Sequence, residues 1–403
     1  MIHLNVPELR FPEFSGEWEE KKLGDISSDG MYGMNAAAID FDGENKYIRI
    51  TDISENSNNF VPKPLCSPNG NLEDKFLLKE NDLLFARTGA STGKSYLYNK
   101  EDGKLYFAGF LIKFHVNKAN SKFVFYNTLR SKYENWVRIM SIRSGQPGIN
   151  AEEYKKLEIN LPSIPEQEKI ASFLSKVDEK IEKLEKKQEL WETYKKGMMQ
   201  KIFSQELRFK DENGEDYPDW KIGKIEDVII QKIRKIQKPN DGYWRLGLRS
   251  HAKGTFHEFV EDPSKIAMDY LFLVKENDLI LNITFAWEHA IALASKEDED
   301  KLVSHRFPTY SFYDNAKPLF YKYYFLQSKF KFELENISPG GAGRNRVMRK
   351  NEFLKLEVPI PDLLEQEKIV NTLFTTDEKI NQLNTELNLN KEFKKGLLQQ
   401  MFC

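Results

Sequence analysis

The chain has 403 residues, 40% of them hydrophobic, and carries 60 Lys and Arg against 62 Asp and Glu. That length exceeds what one core fills and points to two domains, while a net charge of −2 excludes a protein that binds polyanions through a global positive field; any nucleic-acid surface would have to be local. Cys66 and Cys403 give neither a disulfide framework nor a metal-ligand spacing, which fits a reducing cytoplasm, and no apolar run is long enough to cross a bilayer.

Taken in chain order, the first half opens with Glu8-Leu9-Arg10-Phe11, followed by Trp18 and by Leu23 to Asp25. A polar turn, Lys79-Glu80-Asn81-Asp82, then feeds an apolar strand from Asp82 to Ala86. The loop Gly89-Ala90-Ser91-Thr92-Gly93-Lys94-Ser95 resembles a phosphate cradle but has one residue too few between its glycines, so a surface loop after a strand is the expected reading. Leu129, Ser131 and Lys132 fall in a helix, and Arg143-Ser144-Gly145-Gln146-Pro147-Gly148-Ile149-Asn150 reads as a flexible polar loop.

A long charged helix follows. Ser163-Ile164-Pro165-Glu166 fits a capping box, and Ile170, Val177, Leu184, Trp191 and Met198 recur every seven residues with Leu174 and Ile181 beside them. So narrow an apolar stripe among Lys and Glu is a coiled-coil seam.

The second half then repeats the order. Glu206-Leu207-Arg208-Phe209, Trp220, Ile225 to Asp227 and the turn Lys275-Glu276-Asn277-Asp278 match the first-half anchors. Between them lies a basic stretch holding Lys232, Arg234, Lys235, Lys238, Arg245, Arg249, His251 and Lys253. Where the first half has its glycine-lysine loop, the second has Thr284-Phe285-Ala286-Trp287-Glu288-His289, without Gly or Lys. Glu297 to Lys301 reads as a solvated turn, and Tyr321 to Phe325 as the buried face of a helix. A glycine-rich loop precedes Arg344, Asn345, Arg346, Arg349 and Lys350. The last helix repeats the first without a gap: Asp362 to Glu365 as a capping box, Ile369, Leu373, Ile380, Leu383, Leu387 and Leu397 along the seam with polar breaks at Thr376 and Asn390, and Lys394-Lys395-Gly396 matching Lys195-Lys196-Gly197. The simplest partner for each long helix is the other.

These elements predict an α+β (mixed α/β) fold with a pseudo-twofold internal repeat: a first domain over 1–162, a helix over 163–204, a second domain over 205–361 and a helix over 362–403. The six histidines show no metal-ligand spacing, and neither a nucleophile elbow nor a methyltransferase-type motif occurs, so no catalytic or metal residues are nominated. Arg, Gln and Asn suit base edges, and glycine lets backbone approach phosphate. Matched basic loops therefore nominate DNA contacts at Arg87, Thr88, Lys94, Arg143, Gln146 and Asn150 in the first domain, and at Arg245, Arg249, Thr284, His289, Arg344, Asn345 and Arg346 in the second. A non-DNA scaffold of two sensor-like domains on a coiled-coil spacer, or an enzyme using the glycine-lysine loop, remain open on these residues alone.

Two unlike domains, each closed by a helix opening Pro-x-x-Glu-Gln-x-Lys-Ile and carrying Lys-Lys-Gly, resemble the specificity subunit of type I restriction-modification systems. The resemblance rests on Pro162 to Ile170, Lys195 to Gly197, Pro359 to Ile369 and Lys394 to Gly396. It implies a non-catalytic subunit whose two target recognition domains each read half of a bipartite, asymmetric site in double-stranded DNA. It also implies partners: modification subunits with an S-adenosylmethionine-dependent adenine methyltransferase, and restriction subunits that use ATP and Mg. No cofactor is expected on this chain.

Overall fold

The computed structural model describes residues 5–28, 30–55, 57–340 and 346–403. Each half of the sequence builds a four-stranded antiparallel sheet in the same spatial order. The first sheet runs Met31–Tyr32, Leu111–His115, Asp82–Ala86, Ser95–Leu97, and the second Ile229–Gln231, Thr309–Phe312, Leu279–Leu281, Ile291–Leu293. The turn before the third strand recurs because its geometry is demanding. Asn81 and Asn277 hold left-handed backbone (φ 70° and 64°), which Asn tolerates, and the buried Asp82 and Asp278 accept from the amides of Lys79 and Lys275 at 2.8 and 2.9 Å. A short antiparallel pair closes each body, Glu19–Lys22 with Glu158–Leu161 and Lys221–Lys224 with Glu357–Ile360.

Two compact units result. One takes the first 186 residues together with Asn384–Cys403, the other Lys187–Leu383, so each unit takes part of both long helices, Ile164–Phe203 and Leu363–Gln400. In the first unit Ile170, Leu174 and Val177 join Trp18, Phe123, Leu397 and Phe402 in one core, and the rings of Trp18, Phe123 and Phe402 meet at 4.9 to 6.2 Å. In the second unit Ile369 and Leu373 join Trp220, Phe320, Met199 and Ile202, with Phe203 against Phe320 at 5.6 Å. The helices run antiparallel in each: Asp178 pairs with Lys394 and Glu185 with Lys391, both at 2.6 Å, in the first unit, and Lys195 pairs with Asp377 in the second.

Of the remaining seam positions, Leu184, Leu383 and Leu387 are buried, and Ile181, Trp191 and Ile380 half-buried. Thr376 is buried as well, its hydroxyl donating to the Thr372 carbonyl at 2.9 Å, so this polar break satisfies itself inside its own helix.

The capping boxes expected at the helix starts are corrected in their glutamate half. Asp362 does accept from the Leu364 amide at 2.8 Å, but Glu166 and Glu365 are 1% and 0% exposed and serve as anchors for the Glu-Leu-Arg-Phe segments. Arg10 donates to Glu166 through Nε and Nη2 at 2.7 and 2.8 Å, and Arg208 donates to Glu365 in the same two-pronged way at 3.1 and 2.9 Å. The neighbouring Gln167 and Gln366 accept from the amides of Asn120 and Lys317, which start the helices Ser121–Asn127 and Pro318–Phe325, and donate back to the Pro162 and Pro361 carbonyls. A third joint repeats further along. The Tyr126 hydroxyl donates to Asp178 at 2.7 Å and that of Tyr323 to Asp377 at 2.8 Å, each aspartate being the one its lysine pairs with. The motifs that carry the internal repeat are thus the joints between body and helix. Among the described residues no helix is long and apolar enough to cross a membrane.

Candidate nucleic-acid interface

In the first unit three loops are drawn together by backbone hydrogen bonds at the end of the strand Asp82–Ala86. The Arg87 amide donates to the Phe110 carbonyl at 3.0 Å, the Arg87 carbonyl accepts from Ile149 at 2.9 Å, and the Gly89 amide donates to Pro147 at 3.0 Å. The Arg87 guanidinium lies 4.9 Å from the centre of the Tyr32 ring, which pre-orients it without neutralising its charge. Beside it Phe110 and Ile142 are 60% and 72% exposed.

The second unit builds the same clasp with other side chains. The Ile283 amide donates to the Arg306 carbonyl at 3.0 Å, and the Ile283 carbonyl accepts from Met348 at 2.8 Å. Ile283 therefore stands where Arg87 does, Arg306 where Phe110 does, and Met348 where Ile149 does. A fourth loop joins here, because the amides of His251 and Ala252 donate to the carbonyls of Glu288 and His289 at 2.7 and 2.8 Å. The edge so formed gathers Arg249, His251, Lys253, Arg306 and the exposed Phe285, with the Arg346 guanidinium 5.2 Å from the Trp287 ring centre. One carboxylate sits among them, Glu288, held by the Ser250 hydroxyl at 2.5 Å.

The nominated residues divide. Arg87, Thr88 and the exposed Gln146 sit at the first clasp, Thr88 bridging Gly148 through backbone. Arg143 is tied into its own loop, with Glu153 at 2.6 Å and the Met140 and Ile142 carbonyls at 2.9 and 2.8 Å. Three nominated side chains are engaged by partners inside the protein. Lys94 bonds to Glu55 and to the Ile53 carbonyl, leaving its side chain 10% exposed. Asn150 caps the helix Ala151–Tyr154 by accepting from the Glu153 amide at 2.9 Å. His289 is 5% exposed, and since a carbonyl can only accept, its Nε2 carries the proton that goes to Phe325 at 2.6 Å. Burial holds its pKa below the usual 6.5.

In the second unit Thr284 donates to Asn282 Oδ1 at 2.7 Å, Arg249 donates to the Thr255 carbonyl and stacks on Phe256, and Arg245 pairs with Glu258 at 2.6 Å on a neighbouring strand. Arg346 lies at the clasp, while Arg344 and Asn345 lie outside the described residues.

The glycine-lysine loop is a closed turn: the amides of Thr92, Gly93 and Lys94 donate to Gly89, Ala86 and Ser91. Gly93 is required there because its φ is 91° and a Cβ would come within 2.5 Å of Val137. Amides spent on their own loop cannot cradle phosphate. Among the described residues no cluster of three or more His, Cys, Asp or Glu side chains could hold a metal ion.

Residues 15–192 and 217–391 match the family model described as the type I restriction modification DNA specificity domain. The chain belongs to that family. It is 25% identical over 409 residues to the type I restriction enzyme MjaVIII specificity subunit of Methanocaldococcus jannaschii, covering 97% of this chain and 92% of the relative. A second protein of that organism, a putative type I restriction enzyme MjaX specificity subunit, is 25% identical over 426 residues, with 98% and 95% covered. The fold matches the crystal structure of the S subunit of the type I restriction-modification system from M. genitalium, with a TM-score of 0.59 at 16% identity over 99% of both chains. As a type I specificity subunit the chain supplies DNA sequence specificity, works within a complex of other subunits, and is not its catalytic member.

Sequence reasoning missed Tyr32, Phe110, Phe285, Trp287 and Arg306 at the clasps. Arg306 had a usable signal, since it sits a few residues before the strand that answers to Leu111–His115. The rings had none, because an isolated aromatic in a loop is as often packing as contact.

Proposed function

We propose that each unit reads one half of a bipartite, asymmetric double-stranded DNA site through its clasp. The supporting observation is the pairing of one backbone frame with unlike side chains: Arg87 against Ile283, Phe110 against Arg306, on hydrogen bonds that correspond one for one. A frame fixed by backbone positions whatever side chains it carries, so the sequence read can differ between units while the approach to DNA stays the same. Mapping methylated sequences for Arg87→Ala and Arg306→Ala tests it. Each substitution relaxes or weakens one half-site, a different one for each; both acting on the same half-site defeats the reading.

The long helices, in this proposal, set the spacer and dock the modification subunits that carry an S-adenosylmethionine-dependent adenine methyltransferase, with ATP-using restriction subunits joining the complex. Helices of 40 and 38 residues are about 57–60 Å long at roughly 1.5 Å per residue. Each carries an exposed apolar pair one turn apart at matching positions, Leu190 and Tyr194 (60% and 50%) on one, Leu389 and Phe393 (66% and 53%) on the other. Gly197 and Gly396 lie within the helices, and a Cβ there meets nothing within 4 Å, so this chain's own packing does not demand glycine at either place. Both features support docking of the same kind of subunit twice. Inserting one helical turn lengthens the tolerated spacer and leaves the half-sites unchanged, as methylation mapping would show.

A further inference from the structure

We infer that one turn sets one base of each half-site: Phe110 at its tip in the first unit reads a thymine through the methyl group, and Arg306 in the second reads a guanine through O6 and N7. This rests on the reading of half-sites by the clasps and deepens it, adding which base each clasp demands at this position.

The two turns are built alike. The Leu111 amide donates to the Ala108 carbonyl and the Phe307 amide to the Ser304 carbonyl, both at 2.9 Å, so Phe110 and Arg306 each occupy the third place of a four-residue turn. Continuing the strand register past Ala86 and Leu111, and past Ile280 and Thr309, sets Phe110 opposite Arg87 and Arg306 opposite Ile283. The bonds from the Arg87 amide to Phe110 and from the Ile283 amide to Arg306 hold each tip from the other side. Each clasp therefore faces one arginine with one apolar side chain, and the two units exchange their places. A tip fixed by backbone on both sides keeps its side chain in place, which base reading needs. Phe110 is 60% exposed there, so it adds little to its own core. The Arg306 guanidinium has no ion pair or hydrogen bond among the described residues, unlike Arg234, Arg245 and Arg249, which are bonded to Asp278, Glu258 and the Thr255 carbonyl. The groove follows from width. Two chain segments side by side, roughly 4.8 Å apart and carrying side chains, are too broad for a minor groove about 6 Å wide and suit a major groove about 12 Å wide. One frame brings both tips to the same groove. There the thymine methyl is the apolar group on the base edges, and guanine O6 and N7 match the two-pronged donors of arginine.

The test uses the full chain assembled with its modification subunits, and duplexes carrying the target that methylation mapping of wild type defines. Replacing thymine by deoxyuridine, one position at a time, removes a single methyl group. At one position of the first half-site this weakens wild-type binding about fourfold, as loss of one buried carbon group does, and Phe110→Ala binds both duplexes alike. In the second half-site 7-deazaguanine at one position removes N7 and weakens binding about tenfold, and Arg306→Ala ignores the change. Phe110→Arg moves the methylated sequence of the first half-site from thymine to guanine at that position. Wild type indifferent to every deoxyuridine in the first half-site, or to every 7-deazaguanine in the second, overturns the inference without any variant having to fold. Greater sensitivity to inosine, which lacks only the minor-groove amino group of guanine, than to 7-deazaguanine overturns it too. If Phe110→Ala and Arg306→Ala relax their half-sites while wild type tolerates the analogues, the reading by the clasps stands and this inference alone falls. If both variants methylate the wild-type sequences unchanged, it is the reading of half-sites by the clasps that fails.

Discussion

Gly93 and His289 occupy the same bend of the two clasps, both with left-handed backbone (φ 91° and 65°), yet one makes room for Val137 and the other fills the space with a ring that bonds to Phe325. The comparison shows how far two copies of one frame diverge once backbone hydrogen bonds hold it: conformation stays, chemistry does not. The joints between body and helix show the reverse. Arg10 with Glu166, Gln167 with Asn120 and Tyr126 with Asp178 repeat as Arg208 with Glu365, Gln366 with Lys317 and Tyr323 with Asp377. Where three groups must meet inside protein, a substitution strands a buried partner; where side chains face outward, it does not.

Even the joints are not identical, and the largest predicted effect exploits this. Glu365 also accepts from Trp220 Nε1 at 2.8 Å, whereas Trp18 Nε1 finds no partner among the described residues. Arg10→Ala therefore leaves the buried Glu166 without its charge partner and costs about 3–5 kcal/mol, while Arg208→Ala leaves Trp220 in place and costs about 1–3 kcal/mol. Hydrogen exchange resolved by unit separates the two; equal losses would mean that the tryptophan contributes nothing.

Next in size, Arg87→Ala and Arg306→Ala each lose about 1–3 kcal/mol of DNA binding, each confined to its own half-site, as competition between duplexes with one half-site altered would show. Smaller still, Tyr126→Phe and Tyr323→Phe cost about 0.5–1.5 kcal/mol each and by similar amounts, because both remove one hydroxyl from a lysine-paired aspartate; denaturant titration checks this, and a clear inequality would mean the joints bear unlike loads.

The smallest effect is a difference in acid response. His289 resists protonation when folded, since burial lowers its pKa, while the unfolded chain takes up the proton near 6.5. The stability this neutral ring contributes is present above that pH and declines below it. The second unit should lose protection between pH 6.5 and 5 more than the first, and His289→Gln should flatten the difference.

The sequence by itself determined the duplication, the two long helices with their seam, and the turns at Asn81 and Asn277, because these rest on periodicity and on short-range backbone preference that neighbouring residues dictate. It also marked Arg87, Thr88 and Arg346 as candidates. Only the tertiary structure decided which polar side chains are free to meet a ligand. Lys94 and His289 look like contacts in the chain and prove to be a strut and a core ring, while Arg306 is brought to the edge by one hydrogen bond to Ile283. Availability depends on partners that lie up to 41 residues away along the chain, such as Ile53 for Lys94, and no local pattern encodes them. The same holds for Glu166, whose spacing suits a cap until Arg10, 156 residues earlier, claims it.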